Sequence, residues 1–433
     1  MSNSGLDQEA SSSAAEDGRG IMAALDNQEK DPPHFEAAPD GGIVAWLVAT
    51  GAAFVFFCGL GFANSFGIFQ QYYMSHQLQG DSEDKVAWIG SLSAFLQFAV
   101  GAVAGPLFDR YGAWVVRPSM IIYVFALMML SLCSKYWQLM LVHGVLIGAI
   151  MGVLMFPAIA AVSQYFEKKR AAVLGLAISG SSIGGIVVPI ALSKMLNESS
   201  LGFGWTVRII GFVMLPLLAF ACITIKPRLP PRTTNFFILG AFKETNFVLL
   251  IIAMFFMFVG MFTPLFFMPT YGVYRGMNAT LASYLLAILN AASTFGRVIP
   301  GVLADKYGPL NILCGAGFAN GIVILCMNVV KSNAGLIVYS VVFGFTSGTI
   351  ISGSAAAFAK IPRDPRDMGT YTGMGMAVGS LAALIGPPIN GVLIDKYGGF
   401  LQVSIFSGIM CLVGGFVVLV SKVTSTGGIM ART

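Results

Sequence analysis

The sequence GPLFDRYG at Gly105–Gly112 recurs as GVLADKYG at Gly301–Gly308, and this pair of motifs decides the fold. Each copy follows a long apolar segment, and a third version, GVLIDKYG at Gly391–Gly398, follows another. The apolar segments match too, since Gly175 in one falls on Gly373 in the other when the halves of the chain are aligned. Such repeats predict two halves of similar structure, related by duplication.

The composition is that of a protein embedded in a membrane. Hydrophobic residues make up 56% of the chain and charged residues 10%, and the mean hydropathy is +0.79, whereas a soluble protein carries about 25% charged residues. The sequence therefore predicts an all-α polytopic membrane protein with twelve transmembrane helices in two six-helix pseudo-repeats. Apolar segments long enough to cross a hydrocarbon core of about 30 Å begin near Ile43, Val86, Val115, Trp137, Ala171, Trp205, Phe247, Leu281, Leu310, Ala334, Gly369 and Phe400.

The repeat and the charge pattern divide the chain into five predicted parts. Residues 1–42 are polar and lack the apolar region of a signal peptide, so we expect a disordered cytoplasmic tail. Residues 421–433 form a short second tail. Between the tails we expect an N-terminal half at 43–225, a basic, proline-rich cytoplasmic linker at 226–246 and a C-terminal half at 247–420.

The distribution of Lys and Arg predicts the orientation. With both termini in the cytoplasm, the inner segments hold 17 of the 25 basic residues and the outer segments hold seven, with Arg297 inside the membrane. Two triplets of the N-glycosylation type, at Asn197 and Asn278, then fall in outer loops. We expect a multi-pass protein of the plasma membrane with both termini in the cytoplasm.

Arg297 is the one charged residue that lies well inside an apolar segment. An unpaired cation in hydrocarbon is costly and marks a functional site by default. Its own segment offers no carboxylate within two turns, so an anionic substrate is the natural partner. The alternative is that Arg297, about six residues from the end of its helix, extends its long side chain to the cytoplasmic edge.

The sequence offers no metal or cofactor site. All six cysteines lie in apolar segments without CxxC spacing, and no GxxxxGK[ST] motif occurs. No intramembrane cluster of His, Cys, Asp or Glu is available for catalysis, so we do not expect an enzyme. The expected partners are the lipid bilayer and a small-molecule, anionic substrate, without nucleic acid, and the oligomeric state stays open.

The motif GPLFDRYG and its copy resemble the loop signature of the major facilitator superfamily, which recurs between the second and third helices and between the eighth and ninth. PDGGIVAW (Pro39–Trp46) and YFEKKRAAVLGLAISGSSIGG (Tyr165–Gly185) resemble the two signatures of its monocarboxylate porter family. The fungal members, which include vitamin carriers and exporters of secondary metabolites, are most similar in loop lengths. The resemblance covers essentially the whole membrane region and implies the major facilitator fold and a transport function.

The resemblance also implies roles for residues of the eighth span. In the proton-coupled lactate carriers of that family, an Arg in the eighth helix binds the carboxylate and an Asp one turn earlier exchanges the proton. Arg297 matches the Arg, whereas Ser293 stands at the position of the Asp. Phe66 stands near the position of an assisting Lys in the first helix. The resemblance therefore implies a substrate site without that family's proton switch.

Further candidates surround Arg297 in the predicted fold. Ser293 and Asn290 precede it by one and two turns, which puts the three side chains on one helix face. Side chains from the first, second and seventh spans would supply stacking and hydrogen bonds to a ring-bearing acid: Asn64, Phe66, Gln97, Phe266 and Tyr271. For the aromatic residues, the alternative is packing against lipid or neighbouring helices.

These observations predict a secondary transporter that moves an organic anion of the monocarboxylate type, or a planar metabolite, by alternating access. Export of a secondary metabolite is one direction. The alternatives are uptake of a vitamin-like substrate of the riboflavin or nicotinate type, and a nutrient sensor with the same fold. Asp109 with Arg110, and Asp305 with Lys306, are predicted inner gates whose carboxylates accept hydrogen bonds from helix N-terminal amides or from nearby Arg and Lys in the outward-facing state. The alternative for these residues is a loop tie without gating.

Overall fold

The computed structural model describes residues 37–232 and 236–426. Most of both predicted tails and the middle of the predicted linker therefore lie outside the described residues. Within the described ranges, 12 helices are long and apolar enough to cross a membrane, and no β-strand occurs. The expected all-α architecture with twelve spans is confirmed.

The spans are numbered α1 to α12 in chain order, and each begins close to the position that hydropathy indicated. They are α1 (Gly42–Ser75), α2 (Lys85–Tyr111), α3 (Ala113–Leu130), α4 (Tyr136–Tyr165), α5 (Arg170–Asn197), α6 (Gly202–Thr224), α7 (Thr245–Tyr274), α8 (Leu281–Tyr307), α9 (Pro309–Val329), α10 (Asn333–Lys360), α11 (Pro365–Ile394) and α12 (Leu401–Ser425).

Three spans, α1, α2 and α4, contain irregular backbone away from their ends. The helix of α1 ends at Ala63 and resumes at Phe66, and that of α2 is interrupted at Val100. α4 carries a π-helical stretch at Met140–Ile147. Within a membrane, irregular backbone is tolerated where protein covers it or where it lines a cavity. The break in α1 is next to Asn64, one of the predicted site residues.

Buried apolar side chains form two clusters, which correspond to the two repeats. The first comes almost entirely from α1 to α6, and the second from α7 to α12. A few residues cross over: Ala104 and Phe156 pack in the second cluster, and Ala304, Ala355 and Ala356 in the first. The halves therefore interlock mainly through small side chains, as helices in lipid do. The limits of the halves at 43–225 and 247–420 stay predictions.

Two helix pairs, α2 with α11 and α5 with α8, join the halves through closely approaching backbones. A Cβ atom on Gly105 would lie 2.0 Å from the carbonyl oxygen of Gly369, and one on Gly175 would lie 2.1 Å from that of Arg297. Neither position has room for a side chain, so glycine is required at both. The two pairs are equivalents under the repeat, because Gly105 corresponds to Gly301, which packs against Ala171 of α5.

Candidate substrate site and inner gate

Arg297 lies in α8, at the interface between the two halves. Its Nη1 donates to the carbonyl oxygen of Ile178, at 2.8 Å, and to the hydroxyl of Ser181, both in α5. The residue is only 5% exposed, so its side chain does not extend to the inner edge of the membrane as the snorkelling alternative requires. Nε is buried and has no hydrogen-bond partner among the described residues.

The charge of Arg297 is not neutralised within the described protein. None of the ion pairs among the described residues involves it, and both of its recorded hydrogen bonds come from Nη1 and end on neutral oxygens. A buried charged donor without a partner is costly. The Nε edge of the guanidinium therefore lacks an acceptor of the kind that a carboxylate or a similar planar anion would supply.

Two asparagines extend the polar surface along the same helix pair. A Cβ atom on Gly185 of α5 would lie 2.6 Å from Nδ2 of Asn64 and 3.2 Å from Oδ1 of Asn290. Gly185 is about one helical turn from Ser181, and Asn290 is about two turns from Arg297. The two amides and the guanidinium therefore line one interface between α1, α5 and α8, and substrate binding by Asn64 and Asn290 stays a prediction.

The structure places Ser293 and Gln97 away from this interface. A Cβ atom on Gly348 of α10 would lie 2.7 Å from Oγ of Ser293, so this hydroxyl faces α10 and not α5. Nε2 of Gln97 donates to Sδ of Met155 in α4 at 3.2 Å. Both side chains are buried between helices of their own half.

The three predicted aromatic residues are not gathered around Arg297. Phe66 packs edge-on against the ring of His143, at 5.4 Å between centroids. Phe266 of α7 is 52% exposed on the surface of the helix bundle. Tyr271 is buried, and its hydroxyl donates to the carbonyl oxygen of Met327 at 2.8 Å. Contacts with neighbouring helices account for the positions of Phe66 and Tyr271, whereas Phe266 is largely exposed.

At the inner side, which we predict to be cytoplasmic, Asp109 ties α2 to the first turn of α11. Its Oδ2 accepts hydrogen bonds from the backbone nitrogen of Thr370, at 2.6 Å, and from the hydroxyl of the same residue, at 2.7 Å. A carboxylate at a helix N-terminus binds free amides and lies at the positive end of the helix dipole. The structure thus contains the contact that the gating prediction requires.

Asp305 makes the equivalent contact in the other helix pair. Its two carboxylate oxygens accept from the backbone nitrogens of Ala171, at 2.8 Å, and Ala172, at 2.9 Å, in the first turn of α5. Thr370 corresponds to Ala172 under the repeat, so only the Asp109 side has a hydroxyl in addition to the amide. The two carboxylates hold the inner ends of both helix pairs together.

The basic residues of the two motifs do not take part in these contacts. Arg110 and Lys306 are exposed, and each lies near the ring of the tyrosine that follows it. The cations that join the halves are residues that the motifs did not reveal. Nη1 of Arg170 donates to the carbonyl oxygen of Ala359 in α10 at 3.3 Å, and Arg232 of the linker pairs with Asp367 of α11 at 2.9 Å.

The PDGG segment anchors the start of α1 to the turn before α5. Oδ1 of Asp40 accepts from the backbone nitrogens of Glu167 and Lys168, both at 2.8 Å, and Asp40 adopts a φ of 50°, which is rare outside glycine. From the sequence, this segment was recognised only as resembling a family signature, without a role for Asp40. The structure gives the carboxylate the role of capping three successive amides, the third being that of Lys169.

Two other predictions concern modification and metal sites. Asn197 is the last helical residue of α5, and Asn278 is exposed in the connection between α7 and α8; glycosylation at either stays a prediction. Among the residues that the structure describes, no group of three or more His, Cys, Asp or Glu side chains could hold a metal ion.

Comparison with known proteins agrees with this architecture. A family model described as Major Facilitator Superfamily matches residues 51–363 and 301–428. The chain is 50% identical over 396 residues to the aspyridones efflux protein apdF of Emericella nidulans, an alignment that covers 92% of this chain and 81% of that protein. It is 37% identical over 407 residues to the agnestins efflux protein AgnL12 of Paecilomyces divaricatus, covering 93% and 92%.

The fold is also that of solved transporter structures. The crystal structure of FucP in the outward conformation superposes with a TM-score of 0.69 at 15% identity, covering 88% of this chain and 98% of that chain. These matches identify the superfamily, and the narrower resemblance to monocarboxylate porters stays a prediction. With matches along nearly its whole membrane region and twelve spans in two repeats, the chain belongs to the Major Facilitator Superfamily of membrane transporters.

Proposed function

We propose that this protein exports an organic anion, monocarboxylate-like or planar, by alternating access, and that Arg297 binds the negative charge. The observation that carries the proposal is the buried Nε of Arg297, which has no partner among the described residues and lies between the halves. A guanidinium holds a planar anion through two parallel hydrogen bonds. A site between the halves is also one that rocking can expose to either side of the membrane.

The proposed direction rests on the relatives. Two of them, aligned over more than nine-tenths of this chain, are named efflux proteins, for aspyridones and for agnestins. An exporter of this type would lie in the plasma membrane with both termini in the cytoplasm, in agreement with the Lys and Arg distribution. The substrate would enter from the cytoplasm and leave on the outer side.

The proposed cycle uses the two carboxylate contacts as an inner gate. With Asp109 on the first turn of α11 and Asp305 on the first turn of α5, the inner ends of the halves are held together. When these contacts break, the halves rock, and the interface beside Arg297 opens to the cytoplasm. Substrate binding in the open form and renewed closure would then carry the anion outward.

The serine at position 293 indicates that the substrates differ from those of proton-coupled lactate carriers. It stands where those carriers hold the proton-exchanging Asp, and its hydroxyl packs against Gly348. With no carboxylate one turn before Arg297, the substrate itself supplies the compensating negative charge. The asparagine pair, Asn64 and Asn290, offers hydrogen bonds to a second polar group of a larger acid.

Untargeted metabolite profiling of cells with and without the gene tests the proposal. We expect an acidic metabolite to accumulate inside cells that lack the protein and in the medium of cells that have it. Arg297→Lys should lower export by about tenfold, because an ammonium group cannot reproduce the two parallel hydrogen bonds that a guanidinium donates to a carboxylate. Arg208→Lys is the matched control, since Arg208 of α6 donates to Ser131 and lies over the ring of Trp205, both within its own half.

Two results would contradict the proposal. One is a transported compound that is cationic or lacks any acidic group. The other is full export by Arg297→Lys at a normal amount of protein, which would reduce Arg297 to a packing contact.

A further inference from the structure

The linker between the halves contains a buried arginine that contacts both of them. Arg232 is 2% exposed. Its backbone nitrogen donates to the carbonyl oxygen of Asp109, at the inner end of α2, at 2.9 Å. Its Nη1 donates to Oδ1 of Asp367, at the start of α11, at 2.9 Å, and its Nη2 donates to the carbonyl oxygen of Phe236 at 2.7 Å.

The preceding linker residues fix this arginine to the N-terminal half. The backbone nitrogen and Nε of Arg228 donate to Oε1 and the carbonyl oxygen of Gln164, at 2.9 and 2.8 Å, at the end of α4. Pro227 packs so closely on the turn after α2 that a Cβ atom on Gly112 would lie 2.7 Å from its Cγ. This part of the linker is therefore docked on the N-terminal half.

An ion pair between a buried arginine and a partly exposed carboxylate, placed across an interface that moves, sets a conformational equilibrium more than it stabilises the fold. In the closed form the Arg232 side chain is 1% exposed and that of Asp367 is 20% exposed, and their attraction offsets the cost of removing water from the guanidinium only while they touch. If α2 and α11 separate, the backbone of Arg232 stays with α2 and the carboxylate of Asp367 leaves with α11. The pair must then break.

We propose that Arg232 is a positioning residue of the inner gate, and that its pair with Asp367 makes the linker a third part of that gate beside the two carboxylate contacts. The proposal rests on the alternating access proposed above and goes beyond it, because it assigns the linker a share in setting the ratio of closed to open forms. Asp109 is then held in two ways, through its side chain by Thr370 and through its carbonyl oxygen by Arg232.

The test measures how often the gate opens and needs no substrate. In a variant whose 6 native cysteines are replaced, Ala104→Cys places a thiol at a position that is 0% exposed in the closed gate. An impermeant maleimide added to inside-out vesicles labels this thiol only when α2 and α11 separate. We expect Arg232→Glu to raise the labelling rate about tenfold, because it places two carboxylates in contact.

A charge exchange and a matched control make the test specific. Asp367→Arg should raise the rate as Arg232→Glu does, and the two changes together should return it to within about threefold of the starting rate, because the pair re-forms with reversed polarity. Arg363→Glu is the control. Arg363 is exposed in the connection between α10 and α11, close in sequence to Asp367. Reversing its charge leaves the contacts of Arg232 in place and should leave the labelling rate unchanged.

An unchanged labelling rate in Arg232→Glu would overturn the proposal. So would a double variant that labels as fast as the single variants, since that result marks two independent defects. If Arg232→Glu does not accumulate in the membrane, Arg232→Gln is measured instead, and its rate decides in the same way. A protein that gates normally but transports no acid would contradict the proposed function alone, because labelling does not depend on substrate.

Discussion

Neutralising Asp109 should make the inner gate open more often. Its Oδ2 accepts two hydrogen bonds from Thr370, at 2.6 and 2.7 Å. Asp109→Asn keeps the shape of the side chain and removes the charge that attracts the positive end of α11. Because these contacts belong to the closed form only, we expect a shift in the closed-to-open ratio with little change in substrate affinity.

The size of the shift follows from the contacts. A hydrogen bond to a charged group contributes about 1.5–3 kcal/mol and a neutral one about 1 kcal/mol, so two weakened bonds amount to about 2 kcal/mol. Oδ1 of Asp109 has no partner among the described residues, so loss of the charge also relieves part of its desolvation cost. A net change of about 1.4 kcal/mol corresponds to a tenfold larger open fraction.

A thiol on the other helix pair reports this opening at a distance from the substitution. Ala304 of α8 is 2% exposed and packs in the core of the N-terminal half, so Ala304→Cys should react with an impermeant maleimide only in the open form. Thr370→Val removes one of the two donors and keeps the charge, and should speed labelling about threefold. Asp81→Asn is the control, because the ion pair of Asp81 with Lys85 joins residues four positions apart at the other end of α2, away from the inner gate.

Labelling of Asp109→Asn at the rate of the Asp81→Asn control would refute this reasoning. It would show that the Asp109 contact ties the loop to α11 without contributing to the gate.

Three further outcomes are expected. Ala172→Thr should add beside Asp305 the hydroxyl that its equivalent has beside Asp109, and should slow opening about threefold in the thiol-labelling assay. Gly175→Leu should lower the amount of folded protein in membranes, because its Cβ atom would lie 2.1 Å from the carbonyl oxygen of Arg297, and a normal amount would show that α5 can move aside. Ser293→Asp places a carboxylate against Gly348 of α10, and export should fall because burying a carboxylate between two helices is costly, whereas unchanged export would show that α8 and α10 can move apart.

The internal repeat was the feature of the sequence that predicted most about the inner contacts. The match of the Asp109 motif with the Asp305 motif predicted equivalent contacts with helix N-terminal amides or with nearby Arg and Lys, and the amide contacts are present in both. Hydropathy gave the twelve spans because each must bury its backbone polar groups in a helix of nearly fixed length. The charge of Arg297 in an apolar segment was sufficient to single it out as a candidate site residue, but its contacts with α5 were not predicted.

The sequence did not allow us to predict which face of each helix is buried or which residues the linker contacts. Phe266 and Tyr271 lie in a helix that is apolar on all sides, so periodicity does not tell which face meets lipid, and one residue is exposed while the other is buried. Ser293 shares a helix face with Arg297 in projection, but the close packing of Gly348 turns its hydroxyl toward α10. Arg232 looked like one more basic residue of an inner loop, because nothing in its own segment reveals the carboxylate of Asp367.

The central claim is that Arg297 recognises the negative charge of the exported compound. The most direct measurement compares the affinity of purified protein for that acid and for its neutral methyl ester, in the original chain and in Arg297→Gln. We expect the original chain to bind the acid at least about tenfold more tightly than the ester, since hydrogen bonds to a charged group are worth about 1.5–3 kcal/mol, and we expect Arg297→Gln to bind both alike. An equal preference for the acid in both proteins would contradict the claim and place the anion elsewhere.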